Sequence, residues 1–288
     1  MNNPTVTAFC PGHISGYFRR IEGNTPADTG SIGAGIVIGE GVTAMVRQSE
    51  TLEVTIIREN NDGTVRDIIR GSPLITSVMQ KISVTATIIT RCRLPIGAGF
   101  GLSAAALLAS LTAVNRLLAL GYSPKETAAY AHEAEIMYRT GLGDVAACQG
   151  GGIAIRTSPG IDGEIERWPG NGETFWALSR GSIPTPSVLS SPVQMKRVGA
   201  AYPGRAPSDI RDFFSLCREF DERSGLLTPE VASALRACDR ASVPAAMTML
   251  GNGVFARGDG AREVLSAFGE VFELRVAERG PVIIGESA

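Results

Sequence analysis

Histidine and lysine are scarce in this chain of 288 residues. There are two histidines, His13 and His132, and three lysines, Lys81, Lys125 and Lys196, among 27 basic residues. Five cysteines are present and none forms a CxxC pair, so with two histidines the ligand spacings of a zinc site are missing. A catalytic lysine has few candidates, and any fixed cation has to be arginine, whose planar fork suits carboxylates and phosphates. The formal charge is −2, which leaves no basic footprint for nucleic acid. An odd cysteine count without a secretory leader points to buried thiols and a cytoplasmic protein. The longest uncharged run, 94–115, opens with PIGAGFG, whose proline and glycines would break a membrane-spanning helix, so no membrane partner is expected.

Glycine is abundant and clustered instead. Of 34 glycines, thirteen fall in three windows, 30–41, 97–101 and 141–152, which cover about a tenth of the chain. Random surface turns would not concentrate glycine in this way, whereas close approach of the backbone to a ligand would.

Hydrophobic periodicity divides the chain. A strand over 5–9 is expected to end at Pro11-Gly12, and further strands are expected over 34–46, 51–58, 65–69 and 83–90. Residues 103–120 are apolar almost all round, which predicts a buried central helix. Ser123-Pro124-Lys125-Glu126 is a capping box with proline at the first helical position, opening a helix to about Arg139. A hairpin is expected from 153–157 to 164–168. The Pro-, Gly- and Ser-rich stretch that follows divides residues 1–165 from residues 166–288. The second part should hold a strand near 175–179, helices over 207–222 (capped by Ser208), 229–239 and 242–250, and strands near 270–276 and 281–284. The fold class is α+β.

The strongest local signal is Pro95-Ile-Gly-Ala-Gly-Phe-Gly-Leu-Ser-Ala, which follows a strand and opens the central helix. Three alternate glycines let several N–H groups converge, and the helix N-terminus adds partial positive charge, so phosphate is favoured there. The candidate phosphate-binding residues are Pro95, Gly97, Ala98, Gly99, Phe100, Gly101, Leu102, Ser103 and Ala104. Leu102 stands where a GxGxxG fingerprint needs glycine, and no GK[ST] follows. Gly141-Leu-Gly143-Asp-Val-Ala146 fits GxGxxA but follows a helix. A glycine turn that serves helix packing alone remains the bland alternative.

PIGAGFGLSAA resembles the ATP-binding motif of the GHMP small-molecule kinases, a proline and glycine-rich run ending in Ser-Ser-Ala. Leu102 replaces the first serine and Ser103 keeps the second. Glu135, then Gly141-Leu-Gly143-Asp144, then Gly150–Gly152, resembles the family's Gly-x-x-Asp segment ahead of a glycine pair. The resemblance implies a ribosomal-protein-like N-terminal domain and a ferredoxin-like C-terminal domain, with ATP and Mg²⁺ as cofactors. It implies Ser103 and Glu135 as magnesium ligands and Asp144 as the catalytic carboxylate. Pro11-Gly-His-Ile-Ser-Gly-Tyr-Phe18 and Gly30-Ser-Ile-Gly-Ala-Gly35 are similar to the archaeal branch of the family that phosphorylates pantoate. The family's glycine-rich third motif is not recognisable, and only Arg279-Gly280-Pro281 stands near its place.

For such a hydroxy acid, Arg156 is the candidate carboxylate ligand, an arginine among isoleucines on a predicted strand. His132 shares a helix face with Glu135. Ser31 and Thr185 are donor candidates, and His13 and Arg19 are weaker ones. Another small alcohol such as homoserine, or a ligand-binding homologue without catalysis, stays open. A homodimer is compatible with all of these readings.

Overall fold

The computed structural model describes residues 4–183 and 185–287. Two long strands organise the N-terminal half. β1 (Thr5–Ile21) and β2 (Gly30–Gln48) pair antiparallel along nearly their whole length. β1 does not end at Pro11 as expected. Its register shifts between Pro11 and Gly12, and a Cβ on the facing Gly41 would lie 2.0 Å from the Cys10 carbonyl oxygen. A residue without an N–H opposite one without a side chain makes a bulge, and the strand continues beyond it.

β3 (Glu53–Glu59) and β4 (Val65–Arg70) form a hairpin, and β5 (Ala86–Cys92) lies between β2 and β3. Between β4 and β5 runs α1 (Pro73–Lys81), which the sequence reading passed over. It is short and carries the β-branched Ile75, Thr76 and Val78, yet Ser72 caps it with Pro73 at its first turn. α2 (Leu102–Leu117) is the expected central helix, buried against β1 and β2. α3 (Pro124–Tyr138) starts at the capping box, with both of its hydrogen bonds made, and ends at Arg139 in the left-handed conformation. α4 (Asp144–Cys148) leads to β6 (Ile153–Arg156), which hairpins with β7 (Ile165–Trp168).

β2 therefore serves two neighbours. Thr43–Gln48 pair with β5, while Gly33–Ile36 pair with β6. Between them Val37 donates to the Gly152 carbonyl and accepts from the Ala277 N–H, and Ile38 bridges to Val276.

A second sheet follows, built from β8 (Thr174–Ser182), β9 (Ala245–Met247), β10 (Gly251–Arg257) and β11 (Val271–Arg275) in the order β11-β8-β10-β9. Its helices are α5 (Thr185–Leu189), α6 (Pro192–Ala201), α7 (Ile210–Ser224), α8 (Pro229–Arg240) and α9 (Ala261–Ser266). α7 is capped by Asp209, whose carboxylate accepts from the Arg211 and Asp212 N–H groups, and Ser208 lies just outside. Phe213 and Phe220 of α7 pack on Tyr17, and Phe220 also on Phe18, so a shared aromatic core joins the halves.

Two expectations are corrected here. The helix over 242–250 is absent: Ala245–Met247 are a strand and the chain then turns into β10. A short apolar run does not distinguish a buried strand from a helix, and pairing with β10 decides it. The final strand β12 (Val282–Ser287) pairs with β1 and so belongs to the first sheet, across the expected division. The α+β class and the buried, unpaired state of all five cysteines hold as read.

Candidate active site

A cavity of about 460 Å³ opens between the two sheets, floored by the loop that precedes α2. Gly97, Gly99 and Gly101 have φ of 75°, 82° and 62°, the left-handed region that glycine adopts without strain. The side chains of Ala98, Phe100, Leu102 and Ala104 turn into the core, and Phe100 meets Phe272 edge-on at 6.4 Å. The loop consequently offers the cavity mainly its backbone. Pro95 begins it and lies outside the cavity lining, whereas the neighbouring Ile96 is part of that lining.

Ser103, on the first turn of α2, donates its hydroxyl to Glu135 Oε1, which also accepts from Thr140 Oγ1 at 3.2 Å. Glu135 Oε2 is buried without a partner. Burial and the neighbouring Asp144 charge push the Glu135 carboxyl up to about 8. Gly141 keeps the two acids close: a Cβ there would lie 2.1 Å from Glu135 Oε2 and 3.1 Å from Asp144 Oδ2.

Asp144 is the first residue of α4, and its other oxygen is held. Its Oδ1 lies 2.7 Å from His13 Nδ1. Burial pushes the Asp144 carboxyl up, but the His13 hydrogen bond and the charge of Arg156 outweigh it and hold it below the ordinary value.

Arg156 stands opposite Gly33 on β6 and is 3% exposed. Its Nε and Nη1 have no partner, and burial lowers its affinity for the proton. A Cβ on Gly143 would lie 2.6 Å from Arg156 Nε and 2.7 Å from Ser31 Oγ, so both groups converge beside the Asp144 turn. A buried guanidinium with idle donors is costly unless an anion reaches it. Thr185, at the start of α5, faces the same cavity.

The structure thus sets Ser31, Ser103, Asp144 and Thr185 in the lining of one cavity, with Glu135 buried behind Ser103 and Arg156 buried beside Ser31 and the Gly143–Asp144 turn. It takes His132 elsewhere. Its Nε2–H donates to the Thr29 carbonyl at 2.8 Å and pins the turn before β2. Arg19 is exposed. His13, a weak candidate in the sequence, lies at the centre.

The segment 248–253 was missed. Thr248 Oγ1 donates to the Ala98 carbonyl at 3.2 Å, and Met249 N–H donates to the Ser15 carbonyl at 3.2 Å. A Cβ on Gly251 would lie 2.0 Å from the Ala98 oxygen. The second sheet therefore reaches the phosphate loop through Thr248–Gly251, whereas Arg279-Gly280 packs on α4's end. Gly251-Asn-Gly253 was the available sequence signal, obscured by the expected helix.

A glycine loop at a helix start, an acid pair beside it and a buried cation behind the turn that carries one of those acids define a small-molecule phosphotransferase site. Residues 69–152 match the model of the GHMP kinases N-terminal domain. A curated pantoate kinase from Methanospirillum hungatei is 46% identical over 97% of this chain and 96% of its own length. The chain belongs to the GHMP kinase family. A pantoate kinase from Thermococcus kodakarensis is 30% identical over 87% of both chains. Among solved structures, a phosphotransferase related to the CoA biosynthesis pathway superposes with a TM-score of 0.78 at 24% identity, covering 97% of this chain and 98% of its own. Homoserine kinase from Cytophaga hutchinsonii follows the same fold with a TM-score of 0.64 at 18% identity, over 99% and 98%.

Proposed function

We propose that the chain transfers the terminal phosphoryl group of ATP to the primary hydroxyl of pantoate, giving 4-phosphopantoate for coenzyme A synthesis. The carrying observation is the arrangement around Asp144: a phosphate loop on one side, and Arg156 with Ser31 on the other. The pantoate kinases among its relatives support the choice of acceptor.

In this reading the loop backbone from Gly97 to Gly101 cradles the phosphates, helped by the N-terminus of α2. The apolar end of the cavity, walled by Val42, Ile56, Leu74 and Ile75, takes the adenine. Arg156 matches one carboxylate with one charge, and Ser31 and Thr185 supply neutral donors. Asp144 Oδ2 accepts the proton of the attacking hydroxyl, since Oδ1 is already held.

The donor set fits a magnesium ion. Among the described residues no cluster of three or more His, Cys, Asp or Glu side chains stands ready for a metal. A magnesium–nucleotide complex needs only one or two protein oxygens, and Glu135 Oε2, buried and idle beside the Ser103 hydroxyl, is such an oxygen. When bound, the ion supplies charge neutralisation on the transferring phosphates. The first sheet with α2 then carries the nucleotide, and the second sheet reaches the phosphate loop through Thr248–Gly251.

The test is ADP release with pantoate, against pantothenate and homoserine. Turnover confined to pantoate is expected. Preference for homoserine, or nucleotide binding without turnover on any acceptor, would overturn the reading.

A further inference from the structure

His13 faces two parts of the site at once. Its main-chain N–H donates to the Phe100 carbonyl at 3.0 Å, inside the phosphate loop. Its ring Nδ1 reaches Asp144 Oδ1 at 2.7 Å. A single residue therefore links the loop that presents the phosphate to the carboxylate that receives the proton.

The surroundings are shaped around it. A Cβ on Gly35 would lie 2.3 Å from His13 Nε2, and one on Gly101 would lie 3.0 Å from the His13 backbone N and O. The pairing of β1 with β2 shifts on both sides of it, at Pro11/Gly12 and at Ser15/Tyr17. The ring is fully buried, and Nε2 has no partner. A bare lone pair is tolerable there, whereas an unpaired charged N–H is not. Burial lowers the ring's proton affinity and outweighs the Asp144 contact, which raises it, and the charges of Arg156 and Arg167 lower it a little more. The ring is accordingly neutral, with Nδ1–H donating to the Asp144 carboxylate. A side chain kept for packing alone would need no donor at that nitrogen.

We infer that His13 is a positioning residue for phosphoryl transfer, fixing Asp144 by one oxygen and tying that carboxylate to the phosphate loop. The inference rests on Asp144 as the acceptor base. With Oδ1 engaged, the carboxylate cannot rotate, and Oδ2 is left on the side of Glu135. The distance from phosphate to base is then set by one residue's backbone and ring, independently of how tightly either ligand binds.

The experiment compares His13→Asn, His13→Gln and His13→Ala by steady-state kinetics with ATP and pantoate. The asparagine amide nitrogen falls near the Nδ1 position, whereas that of glutamine falls near Nε2. His13→Asn should keep kcat within about threefold of wild type. His13→Gln and His13→Ala should each lose about 10–100-fold in kcat, the scale of a misplaced reacting group, with both KM values within about threefold. On an Asp144→Asn background, His13→Gln should change kcat by less than about twofold, because its partner is already gone. Equal kcat in the three variants, a loss confined to KM, or an undiminished cost of His13→Gln on the Asp144→Asn background overturns the inference. Should His13→Ala fail to fold, the near-isosteric Asn and Gln variants decide the matter. Absence of pantoate turnover in the wild type would instead strike the proposed function, before any variant is compared.

Discussion

Arg156→Met removes a charge and keeps most of its bulk, and two opposite effects should follow. In the free protein Arg156 is 3% exposed, with Nε and Nη1 unpartnered. Desolvation costs a buried ion several kcal/mol, and among the described residues no salt bridge to Arg156 offsets that cost, so an apolar side chain of similar volume should stabilise the free protein by about 1–2 kcal/mol. The companion charge, Asp144, is not stranded, because His13 still donates to it. At about 2–4 °C per kcal/mol for a chain of this size, the free variant should melt a few degrees above wild type. With substrate the balance reverses. A hydrogen bond to a charged group contributes about 1.5–3 kcal/mol, and about 1.4 kcal/mol is tenfold, so KM for pantoate should rise about 10–150-fold while KM for ATP holds. Thermal melts with and without pantoate, beside steady-state kinetics, read both effects. The wild type should gain melting temperature with pantoate and the variant should not. A variant that melts lower than wild type when free would refute the argument from idle donors. A variant with wild-type KM for pantoate would remove Arg156 from the acceptor site.

Asp144→Asn should retain the wild-type melting temperature within a few degrees and lose about 10²–10⁴-fold in kcat, and wild-type turnover would exclude it as the base. Gly251→Ala puts a methyl 2.0 Å from the Ala98 oxygen, which is backbone and cannot swing aside, so KM for ATP should rise at least about tenfold with KM for pantoate spared. Equal effects on both substrates would show that the turn does not act through the phosphate loop. Glu135 gives a pH signature in metal-free protein. Its carboxyl is raised from 4.5 to about 8, so over that window the folded chain holds a proton that the unfolded chain has lost, and stability falls as pH rises. Urea midpoints at pH 5 and pH 8, in chelator, should converge in Glu135→Gln relative to wild type. Ser123→Ala should cost about 1 kcal/mol by urea unfolding through loss of the α3 cap, with kinetics unchanged.

The glycine loop proposed to hold the phosphates was legible as a motif because it is local. Pro95 to Ser103 are consecutive, and the strand–loop–helix order that gives them meaning is written in the neighbouring residues. The residues proposed for the acceptor are not local. Pairing of β2 with β6 sets Arg156 opposite Gly33, pairing of β2 with β1 brings the His13 ring over Gly35, and Gly143 leaves room for Arg156 beside Ser31. His132 illustrates the limit of helix-face reasoning. It does sit near Glu135 on α3, yet the Thr29 carbonyl, in the turn before β2, claims its ring. Residues 242–250 show the opposite failure, where the local preference of Ala and Met for helix was overridden by pairing with β10 and by the buried Asp221, which accepts the Met247 N–H. Pro11 misled for the same reason: its facing glycine, thirty residues away, turns a stop signal into a bulge.

The pairing of β12 with β1 has a bearing on how the chain comes off the ribosome. Thr5 pairs with Ser287, so it must wait for about 280 further residues to be made before it meets its partner. At about 5–20 residues per second that interval is roughly 15–60 s. Through it, β1 presents one flank of unmatched amides and carbonyls, a template for any passing extended peptide. The nascent polypeptide is most vulnerable to miscoupling before residue 282 appears, and shortening it to end there should lower the soluble yield from cells far more than it lowers the activity of the molecules that do fold.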